Sequence, residues 1–260
     1  MSGARTRIAA VAVCDLRVLR RDPAFVVIFT IMPLAFMAFT KGAFSAGLAA
    51  EYPGRSLNGA EVVVPGSAVL FSGFLVGNLG FAIFREHSWA TWDRLRASRL
   101  STTELMVAKS IGPIAVLALQ LTVMLLGGAL LFDLHIAGSL LAFFTVAAAM
   151  ALMELTLGFA LLAVCRSVLQ LNAVTNLGAM MLSGIGGAVT PIYLLPTWAQ
   201  TIAPATPAYW AMSGFTKVTI EGAGLADVGK PVGVLLAYSA AFVVIAVWRF
   251  RTADAKQGWA

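Results

Sequence analysis

The chain has 260 residues, of which 60% are hydrophobic and 12% are charged, against roughly a quarter charged in an average soluble domain. This composition argues against a soluble enzyme and indicates a protein embedded in a membrane. In such a protein the net charge of +6 reports on which loops face the cytoplasm, so it does not predict binding to nucleic acid.

Six apolar runs approach the ~20 residues that an α-helix needs to cross a bilayer. We therefore predict an all-α, polytopic membrane protein with six transmembrane helices in a single domain, residues 1–260. The predicted spans cover about residues 24–40, 62–84, 105–132, 139–164, 168–189 and 231–250. The first run is long for a secretory signal peptide and contains Pro33, so we interpret it as a retained span.

The segment before the first span, residues 1–22, has the pattern of an amphipathic helix. Arg17, Arg20 and Arg21 fall on one side of a helical wheel. The apolar side consists of Ile8, Val11, Ala12, Leu16, Val18 and Leu19. This pattern predicts a helix that lies in the cytoplasmic interface, and a disordered basic tail is the alternative. Asp15 falls on the apolar side, where a carboxylate does not fit.

Two segments are predicted to lie outside the cell. Residues 41–61 are rich in glycine and small residues, which indicates an external loop with little structure. Residues 190–230 combine four prolines and few charges with the interfacial aromatics Trp198, Tyr209 and Trp210. The second segment predicts short helices that re-enter the outer leaflet, with an ordinary external loop as the alternative.

The loop between spans two and three, residues 85–104, interrupts the apolar middle of the chain. Trp89, Trp92 and Leu95 recur every third residue and cover an arc of roughly 120° on a helical wheel. The charged residues off that arc are Glu86, Asp93, Arg94 and Arg96. We predict a short cytoplasmic helix whose aromatic side chains need a pocket, either in a partner protein or at the headgroup boundary.

Glu154 is the one clear acidic residue inside a predicted span. Because a carboxyl group is costly in a bilayer, it is a candidate functional residue. It could contact a cationic substrate, carry a proton or form a hydrogen bond that holds two helices together. The sequence leaves these alternatives open.

Span five carries small and polar residues that suit a close contact. Asn172 and Asn176 are one helical turn apart, and Ser183 and Gly187 form a small-xxx-small pair beside Gly184. These residues predict either an interface between two subunits or the wall of a transport pathway. Packing within one helix bundle is the alternative.

The basic residues predict the orientation of the chain in the membrane. All but four of the 18 basic residues fall on the side that holds both termini. The four on the other side are Lys41, Arg55, Lys217 and Lys230. By the positive-inside rule both termini are therefore cytoplasmic.

Two stretches of the chain resemble the conserved regions of the type-2 ABC exporter permeases. The first consists of Glu86, Thr91, Asp93, Arg94, Leu95, Leu100, Ser101 and the later Lys109. The second consists of Leu182–Gly184, Pro191, Leu195–Trp198, Pro204, Pro207 and Tyr209. The first stretch departs from the family pattern where the usual Gly, Glu and Pro are replaced by Ala90, Asp93 and Arg99.

The resemblance implies a transport subunit rather than an enzyme. In that family the loop between spans two and three is a coupling helix that enters a cleft of a separate cytoplasmic ATPase, so Trp89, Trp92 and Leu95 would be its buried anchors. The expected partners are two copies of the ATPase, a second permease copy or paralogue, and the lipid bilayer. ATP and Mg²⁺ would bind to the ATPase, and no cofactor to this chain, which has no G-x-x-x-x-G-K-[ST] phosphate loop.

The resemblance also suggests a bacterial plasma membrane and a drug or antibiotic exporter of the daunorubicin type, with lipid, glycan and peptide export left open. Arginine outnumbers lysine, which indicates a GC-rich bacterium. Two other classes of function remain as alternatives, a proton-coupled secondary carrier and an intramembrane enzyme centred on Glu154. The carrier would show an internal repeat, and the enzyme a second catalytic residue facing Glu154; neither is evident in the sequence.

Overall fold

The computed structural model describes residues 2–21, 24–77 and 101–249. These residues form nine α-helices and two short 3-10 helices, and they contain no strand. The α-helices are α1 (Ser2–Arg21), α2 (Ala24–Glu51), α3 (Ala60–Leu75), α4 (Thr102–Leu131), α5 (Leu140–Val164), α6 (Val168–Ile185), α7 (Thr197–Ile202), α8 (Pro207–Thr219) and α9 (Gly229–Arg249). The prediction of an all-α protein is confirmed.

Five of these helices, α2, α4, α5, α6 and α9, are long and apolar enough to cross a membrane. They coincide with five of the six predicted spans. The remaining predicted span begins with α3, a shorter apolar helix that ends at Leu75. The described residues of this span end at residue 77. The described chain is therefore polytopic, as the sequence predicted.

Serine side chains begin three of the spanning helices. Ser101, Ser139 and Ser167 each accept a hydrogen bond from the backbone N–H three residues later. Each bond satisfies one of the N–H groups that have no partner within the helix. The short links before α5 and α6 thus set the points at which the chain turns back.

Helix α2 continues well beyond the predicted end of the first span. It ends at Glu51, so the prediction of an unstructured loop across residues 41–61 is wrong for its first half. Phe44 and Leu48 lie one turn apart and extend the packed face of the helix, with Leu48 fully buried. The reversal of the chain is confined to the residues around Gly54 and Gly59, both of which have positive φ.

Helix α3 occupies the centre of the bundle. All of its residues from 60 to 72 are buried, and it contacts α2, α4, α6 and α8. A helix that is apolar on every side can be buried in this way. At Gly66, an added Cβ would lie 2.3 Å from the carbonyl oxygen of Ala188, so the glycine is needed for this close approach.

Pro33 leaves a carbonyl group without its helical partner in the middle of α2. Proline has no N–H, so the carbonyl oxygen of Phe29 cannot form its usual bond within the helix. The side chain of Gln120 on α4, which is 1% exposed, donates to that oxygen from Nε2 at 3.0 Å. Helix α4 therefore replaces the bond that Pro33 removes.

Pro65 creates the same gap near the start of α3. Here the carbonyl oxygen of Glu61 is released, and the hydroxyl group of Thr219 on α8 donates to it at 2.9 Å. An unpaired buried carbonyl is costly in an apolar interior. Both gaps are thus closed by a side chain from a neighbouring helix.

The loops at one end of the bundle are joined by polar contacts. Lys41 Nζ donates to the carbonyl oxygen of Phe132 at 2.6 Å, and Arg55 donates to the carbonyl oxygen of Ile220. Lys217 donates to the carbonyl oxygen of Asp227. Three of the four basic residues assigned to the external side therefore bind backbone oxygens at this end, close to the cluster of short helices.

The predicted external segment does form short helices. It contains α7, α8 and two 3-10 turns, Ile192–Leu194 and Ala203–Ala205. Pro207 stands in the first turn of α8, where its missing N–H is harmless, and Trp210 donates from Nε1 to the carbonyl oxygen of Pro204 at 2.8 Å. That this segment re-enters the outer leaflet remains a prediction.

Candidate functional site

The predicted coupling loop returns to the described chain at the start of α4. The residues from Glu86 to Leu100, including Trp89, Trp92 and Leu95, lie outside the described residues. Ser101 accepts from the backbone N–H of Glu104, and Glu104 accepts from the backbone N–H of Ser101 at 2.8 Å. This capping box gives α4 a defined first turn at the point where the loop ends.

The N-terminal helix packs along α4. Ala12 is 5% exposed and Ile8, Val11, Val18 and Leu19 are half-buried, whereas Leu16 is exposed. Most of the predicted apolar side of α1 is thus covered by protein. The prediction of an amphipathic helix holds, and its position at the membrane surface remains a prediction.

Asp15, the residue that did not fit the apolar side of α1, forms a buried ion pair. Its Oδ1 lies 2.9 Å from Nζ of Lys109 on α4. Lys109 is 2% exposed and Asp15 is 9% exposed. Two opposite charges at this distance offset much of the cost of taking each of them out of water.

A second ion pair joins the same two helices closer to the loop. Arg7 Nη2 donates to Oε1 of Glu104 at 2.6 Å. The hydrogen bond from Arg7, together with that from the Ser101 backbone, lowers the pKa of the Glu104 carboxyl below its ordinary value. Arg7 and Asp15 therefore hold α1 against the first turns of α4.

Glu154 lies in the middle of α5 and is 4% exposed. The hydroxyl group of Ser72 on α3 lies 2.8 Å from its Oε1 and is also within hydrogen-bond distance of the Ala68 carbonyl oxygen in its own helix. Its Oε2 is buried without a hydrogen-bond partner. The structure thus shows the helix-to-helix hydrogen bond that was one of the three alternatives, and it leaves one carboxyl oxygen free.

Glu154 lines a cavity of about 170 Å³ between α3, α5, α6 and α8. Thr175 and Ser183 of α6 also line it, and both side chains are buried. The hydroxyl group of Thr175 has no hydrogen-bond partner. Two residues in the wall of one mainly apolar cavity therefore carry a buried polar atom that has no hydrogen-bond partner.

The predicted interface residues of span five are distributed over two different surfaces. Asn176 donates from Nδ2 to Oδ1 of Asn172 on the outer surface of α6. At Gly184 an added Cβ would meet no atom within 4 Å. Ser183, in contrast, points into the protein. The structure does not bring these four residues to one face.

Gly187 lies beyond the end of α6, which is at Ile185. Its φ of 87° is in the left-handed region, and an added Cβ would be 2.6 Å from Cγ1 of Ile192. The prediction that it forms a helical small-xxx-small pair with Ser183 is therefore wrong. It is a turn residue that sends the chain toward the short helices.

Sequence reasoning missed Ser72, Gln120 and Thr175. Ser72 and Thr175 are short polar residues in apolar runs, where serine and threonine are common and carry no distinctive spacing. Gln120 had a usable signal, since an amide opposite a helix that contains Pro33 can supply the missing hydrogen bond. The pairing of the two helices was not known from the sequence.

Two comparisons bear on the identity of the chain. The family profile described as ABC-2 type transporter matches residues 7–220. The linearmycin resistance permease protein LnrN of Bacillus subtilis (strain 168) is 26% identical over 175 residues, which is 67% of this chain and 45% of that protein. The aligned part of this chain thus spans less than half the length of that relative.

Proposed function

Because this chain belongs to the ABC-2 type transporter family, we propose that it is the membrane-spanning permease subunit of an ATP-driven exporter. It moves an amphipathic or lipophilic molecule out of the cytoplasm, and a separate cytoplasmic ATPase supplies the energy. In this proposal both termini are cytoplasmic and the membrane is the bacterial plasma membrane. The resemblance found in the sequence is thereby confirmed at the level of the family.

The observation that carries the proposal is the attachment of α1 to the start of α4. The Asp15–Lys109 and Arg7–Glu104 ion pairs join the two helices where the loop of residues 85–104 rejoins the described chain. A push on that loop by a partner would therefore move α1 and α4 together. This arrangement suits a subunit that receives mechanical work from outside the membrane.

The outer surface of α6 supports a second permease subunit. Asn172 and Asn176 expose polar amides on a helix that is otherwise apolar enough to span the membrane. Facing lipid, these amides would have few partners beyond each other. We place this surface, together with the largely exposed α2, against a second copy or a paralogue, or beside the transport pathway.

The name of the relative supports a lipophilic cargo. LnrN is described as a linearmycin resistance permease protein, and resistance conferred by a permease is consistent with removal of the drug. For this chain we propose a cargo of the same broad character, without assigning a compound. Two copies of the ATPase, each seated on one coupling loop, complete the proposed assembly.

The proposal is tested in proteoliposomes that contain the chain with its ATPase partner. We expect ATP turnover that depends on the partner and transport that stops when the phosphate loop of the partner is mutated. A proton gradient alone should drive no transport. ATP turnover by the purified chain, or proton-driven transport without the ATPase, would overturn the proposal in favour of an enzyme or a secondary carrier.

A further inference from the structure

The cavity beside Glu154 has the form of a binding site rather than of a packing defect. Its volume is about 170 Å³, and its wall is mainly apolar, with Val69, Met150, Leu157 and Val174 among the lining residues. Val174 and Leu182 both line it and are partly exposed on the outer surface of α6. The cavity therefore opens sideways, at the depth of the spanning helices.

Two residues in its wall carry polar atoms that have no hydrogen-bond partner. Glu154 and Thr175 are each more than nine-tenths buried, and neither Glu154 Oε2 nor Thr175 Oγ1 has a hydrogen-bond partner. An unpaired buried polar group is costly, and in native proteins such groups are rare. Two of them at one apolar cavity point to a molecule that supplies the missing hydrogen bonds.

The size of the cavity limits what can occupy it. A dry apolar cavity of about 150 Å³ in another protein accommodates benzene. The cavity here can therefore hold one ring or a short branched alkyl group, with a polar atom directed at Glu154. A longer molecule could extend through the opening along α6.

The chemistry of Glu154 favours a nitrogen base. An amine can meet a carboxyl group in either protonation state, because one proton shared between nitrogen and oxygen satisfies both groups. An alcohol or an amide can also donate to a carboxylate, but neither carries a positive charge of its own to pair with it. The Thr175 hydroxyl group supplies a second polar atom in the same wall.

We propose that this cavity binds the amine-bearing end of a lipophilic molecule, with the nitrogen at the Glu154 carboxyl group and the apolar part between α3, α5 and α6. The proposal that an amine binds here rests on the cavity and its lining residues. The interpretation of the cavity as the recognition site for cargo rests on the proposed function.

Binding is measured on the purified chain in lipid nanodiscs, without the ATPase. The probe is 4-fluorobenzylamine, followed by fluorine NMR, and 4-fluorotoluene is the matched molecule without the amine. We expect saturable binding of the amine and only non-saturable partition of the toluene into lipid. If the amine also shows only partition, the cavity holds water or nothing and the proposal fails.

Three variants test the location. Gly178 lines the cavity and has room for a side chain, since an added Cβ would meet no atom within 4 Å; Gly178→Leu should therefore fill the cavity and abolish saturable binding. Thr175→Val should weaken it. The control is Thr145→Val, which removes a hydroxyl group that donates within its own helix to Leu141 on the exposed surface and should leave binding unchanged.

Glu154→Gln gives the sharpest outcome. If Ser72 keeps its bond to the side-chain oxygen, the amide NH₂ faces the cavity and donates instead of accepting. Amine binding should fall roughly tenfold or more, while 4-fluoroacetophenone, which only accepts, should bind better than to the native chain. Unchanged amine binding in both Glu154→Gln and Gly178→Leu would overturn the proposal.

The two proposals fail in different ways. Loss of ATP-driven transport in proteoliposomes, with amine binding intact, would contradict the exporter and leave the site standing. Transport without amine binding would leave the exporter standing and remove the site.

Discussion

Asp15 of α1 and Lys109 of α4 form an ion pair at 2.9 Å, although 94 residues separate them in the chain. Lys109 is almost completely buried. The pair adds a buried polar contact between α1 and α4, which also pack against each other through apolar residues. It also explains why an acidic residue stands on the apolar side of α1.

Removing one partner of this pair should destabilise the protein more than removing both. Lys109→Met or Asp15→Leu alone leaves a buried group without its charged partner, and the expected cost is about 3–5 kcal/mol. The double variant Asp15→Leu, Lys109→Met should recover much of that loss because two apolar side chains can pack together. The free energy of unfolding in detergent is measured for the two single variants and the double variant. Arg17→Ala, an exposed change on the same helix, is the control, and additive costs in the double variant would contradict the coupling.

The contribution of the Gln120 side chain to the stability of the protein should depend on the presence of Pro33. Gln120→Leu removes the side-chain donor to the carbonyl oxygen of Phe29, which should cost about 1–3 kcal/mol. In a Pro33→Ala background the new N–H can bond that oxygen within α2, so the same change at Gln120 should cost less.

Thermal unfolding of the four proteins in this cycle gives the coupling energy. Thr122→Val is the matched control, since Thr122 is exposed on the same helix and donates to Ala118 within it. An equal loss of stability on Gln120→Leu in both backgrounds would show that the Gln120 amide does not replace the hydrogen bond that Pro33 removes.

The contact between Arg7 and Glu104 should make stability depend on pH. Because the folded-state pKa of Glu104 is lowered, this carboxylate contributes stability at pH values above its ordinary pKa of 4.5 and loses it as the pH falls further. The difference in melting temperature between the native chain and Glu104→Gln should therefore shrink below pH 4.5. Arg7→Gln should behave in the same way. A difference that is constant with pH would rule out the ion pair as its cause.

The aromatic side of the coupling loop should control binding to the ATPase. Truncating a buried aromatic anchor commonly costs ~2 kcal/mol or more, about a thirtyfold loss of affinity. We expect Trp92→Ala to uncouple or dissociate the complex while the permease stays folded. Arg96→Ala should be mild, because exposed ion pairs contribute under ~1 kcal/mol.

Co-purification of the ATPase and substrate-stimulated turnover measure both variants. If Arg96→Ala loses the partner and Trp92→Ala keeps it, the charged side is the binding side and the helical-wheel interpretation is wrong.

The sequence predicted the helices far better than it predicted their contacts. Apolar length is a local property, so five spanning helices and the amphipathic α1 could be identified from it. The partner of Asp15 could not, since periodicity shows which side of a helix is apolar but not which helix covers it. The continuation of α2 to Glu51 was missed because its glycine and alanine residues were interpreted as a loop. The sequence does not show that buried neighbouring residues hold this stretch in a helix.

The candidate site was predicted in the same uneven way. Glu154 was identified because an acid in an apolar run is rare, whereas its neighbours Ser72 and Thr175 have no such contrast. Gly187 was assigned to a helix because small residues suit both a helix contact and a turn, and only its positive φ distinguishes them.

The two hydrogen bonds that replace the missing proline donors restrict how the helices can move. A slip of α4 along α2 by one turn, about 5.4 Å, would carry the Gln120 amide away from the Phe29 oxygen and break the bond between them. A similar slip of α8 against the start of α3 would break the bond from Thr219 to the Glu61 oxygen. Each bond fixes one contact point between two helices, so it resists sliding along the helix axis but permits tilting about that point. The working motion of this bundle should therefore be a tilt about fixed points, and the sideways opening beside Glu154 would widen or close without any helix changing its axial register.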